Sequence, residues 1–346
     1  MEKNYEKGKA IIFRRAKEAE LREIRLAEVD EKTIVVKTKY SGISTGTEMA
    51  VYSGEANGDG VIYPCVPGYE AVGEVVYAGS KAFTSNTGEK FREGNRVMAN
   101  EVRSYPDYNA AWGGQCEYAV KNPETSPYKG DLPAKIPDNV SYQEAVIAYL
   151  ACVAKKGIDM VGINKGESVL IMGAGTVGLS ALQLAKIYGA GNIIAGDIRE
   201  NRLELAQKYT PCLLNLSDPD SENDLLDLNE GKKVDVVIEC SGNPSAVDII
   251  PDYIRPEGRV HLLGHYRRPV VITHYSKWNC NDLRISCSIA INPGSKEEIL
   301  KMISEGKFDA KGLYTEEYFV DDAPKAYKEL ERNKYHVLKI LLKWEK

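Results

Sequence analysis

Gly173-Ala-Gly175-Thr176-Val177-Gly178 follows the apolar run Ser168–Met172 and opens a stretch with helical spacing. In such a motif the first glycine permits a tight turn. The second lets the backbone approach a pyrophosphate, and the third lets helix and strand pack closely. A diphosphate would meet the helix N-terminus, at Thr176 and Val177. Asp197 ends the next apolar run, 24 residues beyond Gly173. A carboxylate there can take both ribose hydroxyls of NAD and would repel the extra phosphate of NADP. The spacing therefore predicts an NAD site. The plainer alternative is a glycine-tight turn with a solvated aspartate. Arg199 and Arg202 follow, either as solvated helix charges or as acceptors of a phosphate. Other reactive residues are sparse. The only histidines are His261, His265, His274 and His336, and the seven cysteines form no CxxC pair. Scattered cysteines read as buried thiols of a cytoplasmic protein.

The elements that would hold these residues follow from periodicity. Residues 33–39 alternate apolar and polar side chains, as a half-buried strand does. Short β-rich stretches continue at 69–79 and 95–100, separated by loops at 53–67, 82–94 and 103–115. The pattern changes near residue 142. A helix is predicted from there, with Ser141 as N-cap and Glu144 three residues on. Strands then alternate with helices: 168–175, 176–190, 192–197, 200–209, 234–242, 245–254 and 258–265. That alternation means βαβ units and a parallel sheet. After about residue 290 come a helix, a strand, a helix and a last strand.

Composition narrows the classes. With 346 residues, two domains or one large one are expected. A net charge of −5 argues against nucleic acid as the main partner. No run of 18 apolar residues is present, so no membrane span is predicted. The charged N-terminus MEKNYEKGKA does not read as a secretory leader. The expectation is a cytoplasmic protein with a small-molecule substrate, no nucleic acid and no membrane.

Several segments together resemble the medium-chain dehydrogenase/reductase family, which includes zinc alcohol, sorbitol and threonine dehydrogenases. They are SGISTGTE (41–48), PGYEAVGEV (67–75), the glycine motif with Asp197, IECSG (238–242), RVHLLG (259–264) and the tail APKAYKELERNKYHVLKILLKW. The resemblance covers nearly the whole chain. It implies an α/β fold: a GroES-like β-rich catalytic domain (1–147 and 291–346) and a Rossmann doubly wound parallel sheet domain (148–290). It also implies an active site in the cleft between them. In the cofactor site it places Cys240 in the adenosine pocket, Leu263 and His265 along the nicotinamide, and Lys339 near the diphosphate. For Cys240 the plainer alternative is an inert buried thiol, for His265 a solvated turn residue, and for Lys339 an exposed strand lysine. The family pairs through an edge strand of the Rossmann sheet, here 284–292, which implies a dimer or a tetramer.

The departures concern metal. The family's three catalytic zinc ligands fall on Ser44, Tyr69 and Tyr149, which are poor zinc donors. Residues 96–118, where the family has four structural cysteines, contain only Cys116. No zinc is therefore expected. A side chain must then do the metal's work, by donating a hydrogen bond or moving a proton. Tyr69 and Tyr149 stand in vacated ligand positions, so their hydroxyls could face the reacting oxygen, or simply fill the space. Thr47 matches the family's hydroxyl relay. Glu48 and Glu70 match acids behind the family's metal, and either could be the base. The stretch 274–283 is similar to a WN-containing segment of polyol and cyclitol dehydrogenases, and Lys277, Trp278 and Asn279 line the cleft or pack an interface. ISTGTE is similar to bacteriochlorophyllide-type dehydrogenases.

The resulting expectation is a zinc-independent, NAD-dependent oxidoreductase acting on a secondary alcohol or ketone, with a sugar, cyclitol or other polyol as substrate. The alternatives are a zinc-free NAD(P)H enone or quinone reductase, against which Asp197 counts, and a catalytically silent dinucleotide-binding protein.

Overall fold

The computed structural model describes residues 5–56, 60–124, 132–333 and 335–345. Residues 1–4 of the charged N-terminus and 57–59 of the loop expected at 53–67 lie outside them. The chain divides into two compact units, one of Met1–Tyr149 with Asn292–Lys346 and one of Leu150–Ile291.

The first unit begins with β1 (Lys7–Arg15), β2 (Glu18–Arg25), β3 (Ile34–Ile43), α1 (Thr47–Ser53), β4 (Cys65–Val66), β5 (Ala71–Ala78), β6 (Arg96–Met98), β7 (Asn109–Ala110), β8 (Tyr118–Lys121) and β9 (Ala134–Lys135). Next comes α2 (Tyr142–Val161), whose residues from Leu150 onward belong to the second unit. The second unit continues with β10 (Val169–Met172), α3 (Thr176–Ile187), β11 (Ile193–Asp197), α4 (Glu200–Ala206), β12 (Cys212–Asn215), α5 (Ser221–Leu228), β13 (Val234–Glu239), α6 (Pro244–Asp248), α7 (Ile250–Tyr253), β14 (Ile254–Leu262), α8 (Tyr275–Asn279) and β15 (Arg284–Cys287). The first unit is completed by α9 (Ser295–Ser304), β16 (Glu316–Phe319), α10 (Ala323–Asn333) and β17 (Ile340–Lys343).

In the first unit β1 shows why a strand-rich region has two cores. Successive side chains of a strand point to opposite faces. Ile11 and Phe13 join one buried cluster with Tyr52, Tyr327 and Ile340. Ala10 and Ile12 join another with Val36, Val75 and Val97. The sheets are β2-β1-β4-β7 and β16-β17-β3-β5-β6-β9, with β8 also on β3. β3 is thus shared: it pairs with β17 along Tyr40–Ile43, with β8 along Ile34–Lys37 and with β5 on its other edge. Its C-terminal end delivers Ser44 and Thr47. α10 buries Ala323, Ala326, Tyr327 and Leu330, the i, i+3, i+4, i+7 stripe of an amphipathic helix.

The second unit is a six-stranded parallel sheet, β12-β11-β10-β13-β14-β15. All four β10 residues are buried, as in a strand covered on both faces. The chain builds outward from β10 to β12, then returns to β13 and builds the other way. The carboxyl ends of β10 and β13 therefore flank the switch point where such sheets bind ligands. α2 starts with the expected reciprocal cap. The Ser141 amide donates to Glu144 at 2.9 Å, and the Glu144 amide donates to the Ser141 hydroxyl at 3.2 Å.

Sequence and structure differ in places. β4 and β7 lie inside stretches read as loops, and β12 and α5 were not anticipated. The helix expected at 245–254 is two short helices, because Pro251 suits a helix start and not a helix middle. Trp278 is not exposed in a cleft. It is 4% exposed and packs in the core of the parallel-sheet unit with Val247, Ile250 and Val260. Lys277 pairs with Asp252 at 2.5 Å. The cysteines are free but not uniformly buried. Cys65, Cys116 and Cys152 are buried, Cys212 and Cys240 half-buried, and Cys280 and Cys287 exposed.

Candidate active site and cofactor cradle

The first unit brings Ser44, Thr47, Glu48, Tyr69, Glu70, Tyr149 and Lys339 together. The Tyr69 hydroxyl donates to the Ser44 hydroxyl at 2.6 Å and also hydrogen-bonds Thr47. Its ring packs edge-on against Trp112 at 5.4 Å and tilted against Tyr149 at 5.1 Å. Burial raises the phenol's pKa, the charge of Glu70 adds to that, and the Ser44 and Thr47 hydroxyls oppose it. The neutral, proton-donating form is therefore favoured.

The carboxylates stand behind this tyrosine. Glu48, on the first turn of α1, accepts from the Gln115 amide at 3.1 Å, from the Ser44 backbone amide at 3.3 Å and from the Tyr327 hydroxyl. Burial pushes it up to about 7 against those bonds. Glu70 lies 2.5 Å from the Lys339 ammonium, and both side chains are fully buried. Its other oxygen is buried with no hydrogen-bond partner. Burial raises Glu70, and Lys339 opposes this. Both carboxylates are buried, Glu48 at 0% and Glu70 at 1% exposure. Lys339, which the family resemblance places near the diphosphate, is the buried partner of Glu70 in the first unit. The Tyr149 hydroxyl faces Glu101 at 3.3 Å, and Glu101 also bonds Arg103 at 2.6 Å. Sequence reasoning missed Tyr327, Gln115 and Glu101. They lie 279, 67 and 48 residues from the groups they bond, and no local spacing marks them.

The second unit holds the cofactor residues. A Cβ on Gly178 would lie 1.7 Å from the Gly173 carbonyl oxygen, so only glycine lets α3 start this close to the turn. A Cβ on Gly175 would meet nothing, which leaves open space beside the first turn of α3. Asp197 is 7% exposed. One oxygen accepts from the Ala174 amide at 2.8 Å and the other from Arg199 at 3.0 Å. Each oxygen can accept once more, which is what two ribose hydroxyls require. Thr176 is buried, Val177 half-buried, and Arg202 7% exposed beside Asp197 and Arg199. Burial lowers the Arg202 pKa, and the Asp197 charge opposes that. Half-buried Cys240, buried Leu263 and exposed His265 lie on the turns after β13 and β14. His261 is structural: it is buried between Ser286 (2.8 Å) and Ser288 (2.9 Å), with burial depressing it to about 4. The open turn, the helix N-terminus and the aspartate fit a dinucleotide.

The positions that resemble the family's zinc ligands do not fit zinc. Ser44 and Tyr69 bond each other, the Tyr149 phenol faces a carboxylate, and Glu70 is held by an ammonium. Among the described residues no group of three or more His, Cys, Asp or Glu side chains is arranged to hold a metal. None of the described helices is long and apolar enough to cross a membrane.

Residues 30–155 match the alcohol dehydrogenase GroES-like domain. Residues 176–305 match the zinc-binding dehydrogenase domain. The chain is 28% identical to a sorbitol dehydrogenase of Halalkalibacterium halodurans, over 89% of this chain and 91% of that one. It is 29% identical to a probable D-xylulose reductase A of Aspergillus clavatus, over 88% of each. An alcohol dehydrogenase from Escherichia coli CFT073, solved with NADH, shares the fold at a TM-score of 0.82 and 22% identity, covering 98% of this chain and 100% of that one. Two domains of matching order, a GroES-like unit built on β3 and a parallel sheet with its glycine turn at the switch point, agree with these likenesses, and the chain is an alcohol-dehydrogenase-type oxidoreductase of the medium-chain dehydrogenase/reductase family.

Proposed function

We propose that the protein is an NAD-dependent dehydrogenase of a secondary alcohol in a sugar, cyclitol or other polyol, and that it works without zinc. The observation that carries the reading is the Tyr69–Ser44–Thr47 hydroxyl cluster in place of metal ligands. A bound nicotinamide would supply the hydride acceptor for the carbinol carbon, and the hydride donor for the ketone in the reverse direction. Tyr69 then holds the proton of the reacting oxygen. In reduction its neutral phenol donates to the carbonyl oxygen. In oxidation the Tyr69 oxygen takes the alcohol proton as the phenol's own proton moves onto the Ser44 and Thr47 hydroxyls, and half-buried Thr47 releases a proton to water. Glu70, paired with Lys339, and Glu48 set the field behind the phenol. Asp197 favours NAD, since a 2′-phosphate there would meet a carboxylate. The sorbitol dehydrogenase and xylulose reductase relatives support a polyhydroxylated substrate.

The test follows NADH formation with sugars, cyclitols and simple secondary alcohols, using enzyme dialysed against a chelator. Turnover of a polyol is expected, unchanged by added zinc. Tyr69→Phe should lower that rate at least tenfold, about 1.4 kcal/mol of barrier. Activity that returns only with zinc would refute the metal-free reading. A silent Tyr69→Phe would leave Tyr69 as packing. Tight NADH binding without turnover of any member would favour a silent dinucleotide binder.

A further inference from the structure

The parallel-sheet unit contains a buried carboxylate that the chemistry above does not use. Glu239 ends β13 and has no exposed surface. One oxygen accepts from the Ser241 amide at 2.7 Å and from the Ser241 hydroxyl. The other accepts from the Gly242 amide at 3.2 Å and from the Tyr266 hydroxyl. Its backbone carbonyl takes the amides of Leu263 at 2.8 Å and Gly264 at 2.9 Å. The residue therefore bonds the turn after β13 and the turn after β14 at once.

The packing leaves these turns little freedom. A Cβ on Gly264 would lie 2.3 Å from the Gly242 nitrogen and 2.7 Å from the Glu239 carboxylate. A Cβ on Gly173 would lie 2.8 Å from the Ser241 nitrogen, so the glycine turn rests on the same backbone. Three turns at the switch point of the sheet meet around one carboxylate. Four donors on two oxygens saturate it, so it has no lone pair left to offer a ligand.

We propose that Glu239 is a positioning residue for the dinucleotide, its carboxylate and the Tyr266 hydroxyl locking the turns after β13 and β14 against the glycine turn so that the cradle is assembled before the cofactor arrives. This rests on the reading of the second unit as a dinucleotide site. A preassembled cradle loses less conformational entropy on binding, so the clasp acts on affinity.

Tyr266→Phe removes one hydroxyl and leaves the ring. Glu239→Gln keeps the shape but replaces an accepting oxygen with a donating amide. NADH titration of full-length wild-type and variant protein, followed by ligand fluorescence, reads the effect, with thermal melting as a check on folding. Tyr266→Phe should weaken NADH about three- to tenfold, the range of one buried hydrogen bond. It should raise KM for the dinucleotide while leaving KM for the alcohol unchanged. Glu239→Gln should weaken NADH further, and if it fails to fold, the Tyr266→Phe result decides. Wild-type affinity in a folded Tyr266→Phe protein, or an equal rise in both KM values, would overturn the proposal alone. A wild-type protein that binds no NADH would overturn the dinucleotide reading with it.

Discussion

Two buried acids lie behind one tyrosine, and their surroundings make them different reagents. Glu70 faces an ammonium with both side chains buried. Removing Lys339 would leave an uncompensated buried charge, a costlier defect than losing the pair. Glu48 is bonded by hydroxyl and amide donors, and burial lifts it to about 7. In the unfolded chain the same carboxyl titrates at about 4.3. Between those values the folded protein keeps a proton that the unfolded chain has released. Stability from this group is therefore greatest at the acid end, falls as pH rises through the window, and levels off above about 7. Glu48→Gln should flatten that part of the profile, because the amide carries no charge to bury. Denaturant midpoints across the window, for wild type and variant, measure it. Parallel profiles would show that Glu48 is ionised throughout, and the low-dielectric account of its site would fail.

The elements decide which residues were readable. The glycine motif, Asp197 and the cap of α2 were legible, because each depends on neighbours within a turn or one βα unit. The same holds for the amphipathic spacing of α10. The Glu48–Tyr327 and Glu70–Lys339 bonds were not, because they join α1 to α10 and the segment before β5 to the segment before β17. Only tertiary folding brings those together. α5 escaped because its acidic surface leaves few apolar positions, with Ser221 and Leu225 its buried residues. Asp197 belongs to this scale, because its geometry is set by β11 and the turn after β10. Asp197→Ala removes the two oxygens proposed to take the ribose hydroxyls, with their bonds to the Ala174 and Arg199 amides. It should weaken NAD more than NADP, since the variant also loses the repulsion that a 2′-phosphate would feel. The ratio of kcat/KM for the two cofactors reads this directly. An unchanged ratio would remove Asp197 from the ribose.

At the scale of the whole molecule, the candidate residues fall in two compact units. In the proposed function one supplies the Tyr69 hydroxyl on a β-rich frame, and the other the glycine turn on a parallel sheet. The parallel sheet ends in β15, which has no partner on its outer side among the described residues. Its Ile285 is 50% exposed and the following Ile289 74% exposed. An open edge strand with protruding isoleucines is a template for pairing with another chain. A second copy can satisfy it by the same surface on both partners, as a two-fold interface does. The protein is therefore expected to be a dimer in solution, or a tetramer built from such dimers. Ile289→Asp would place a charge in the shared face and should shift the population toward monomer, with the fold of each unit retained because Ile289 lies outside all three sheets. Sedimentation equilibrium of wild type and variant over a dilution series decides it. A wild type that stays monomeric at high concentration would rule out the pairing. An Ile289→Asp protein as oligomeric as wild type would move the interface away from this edge.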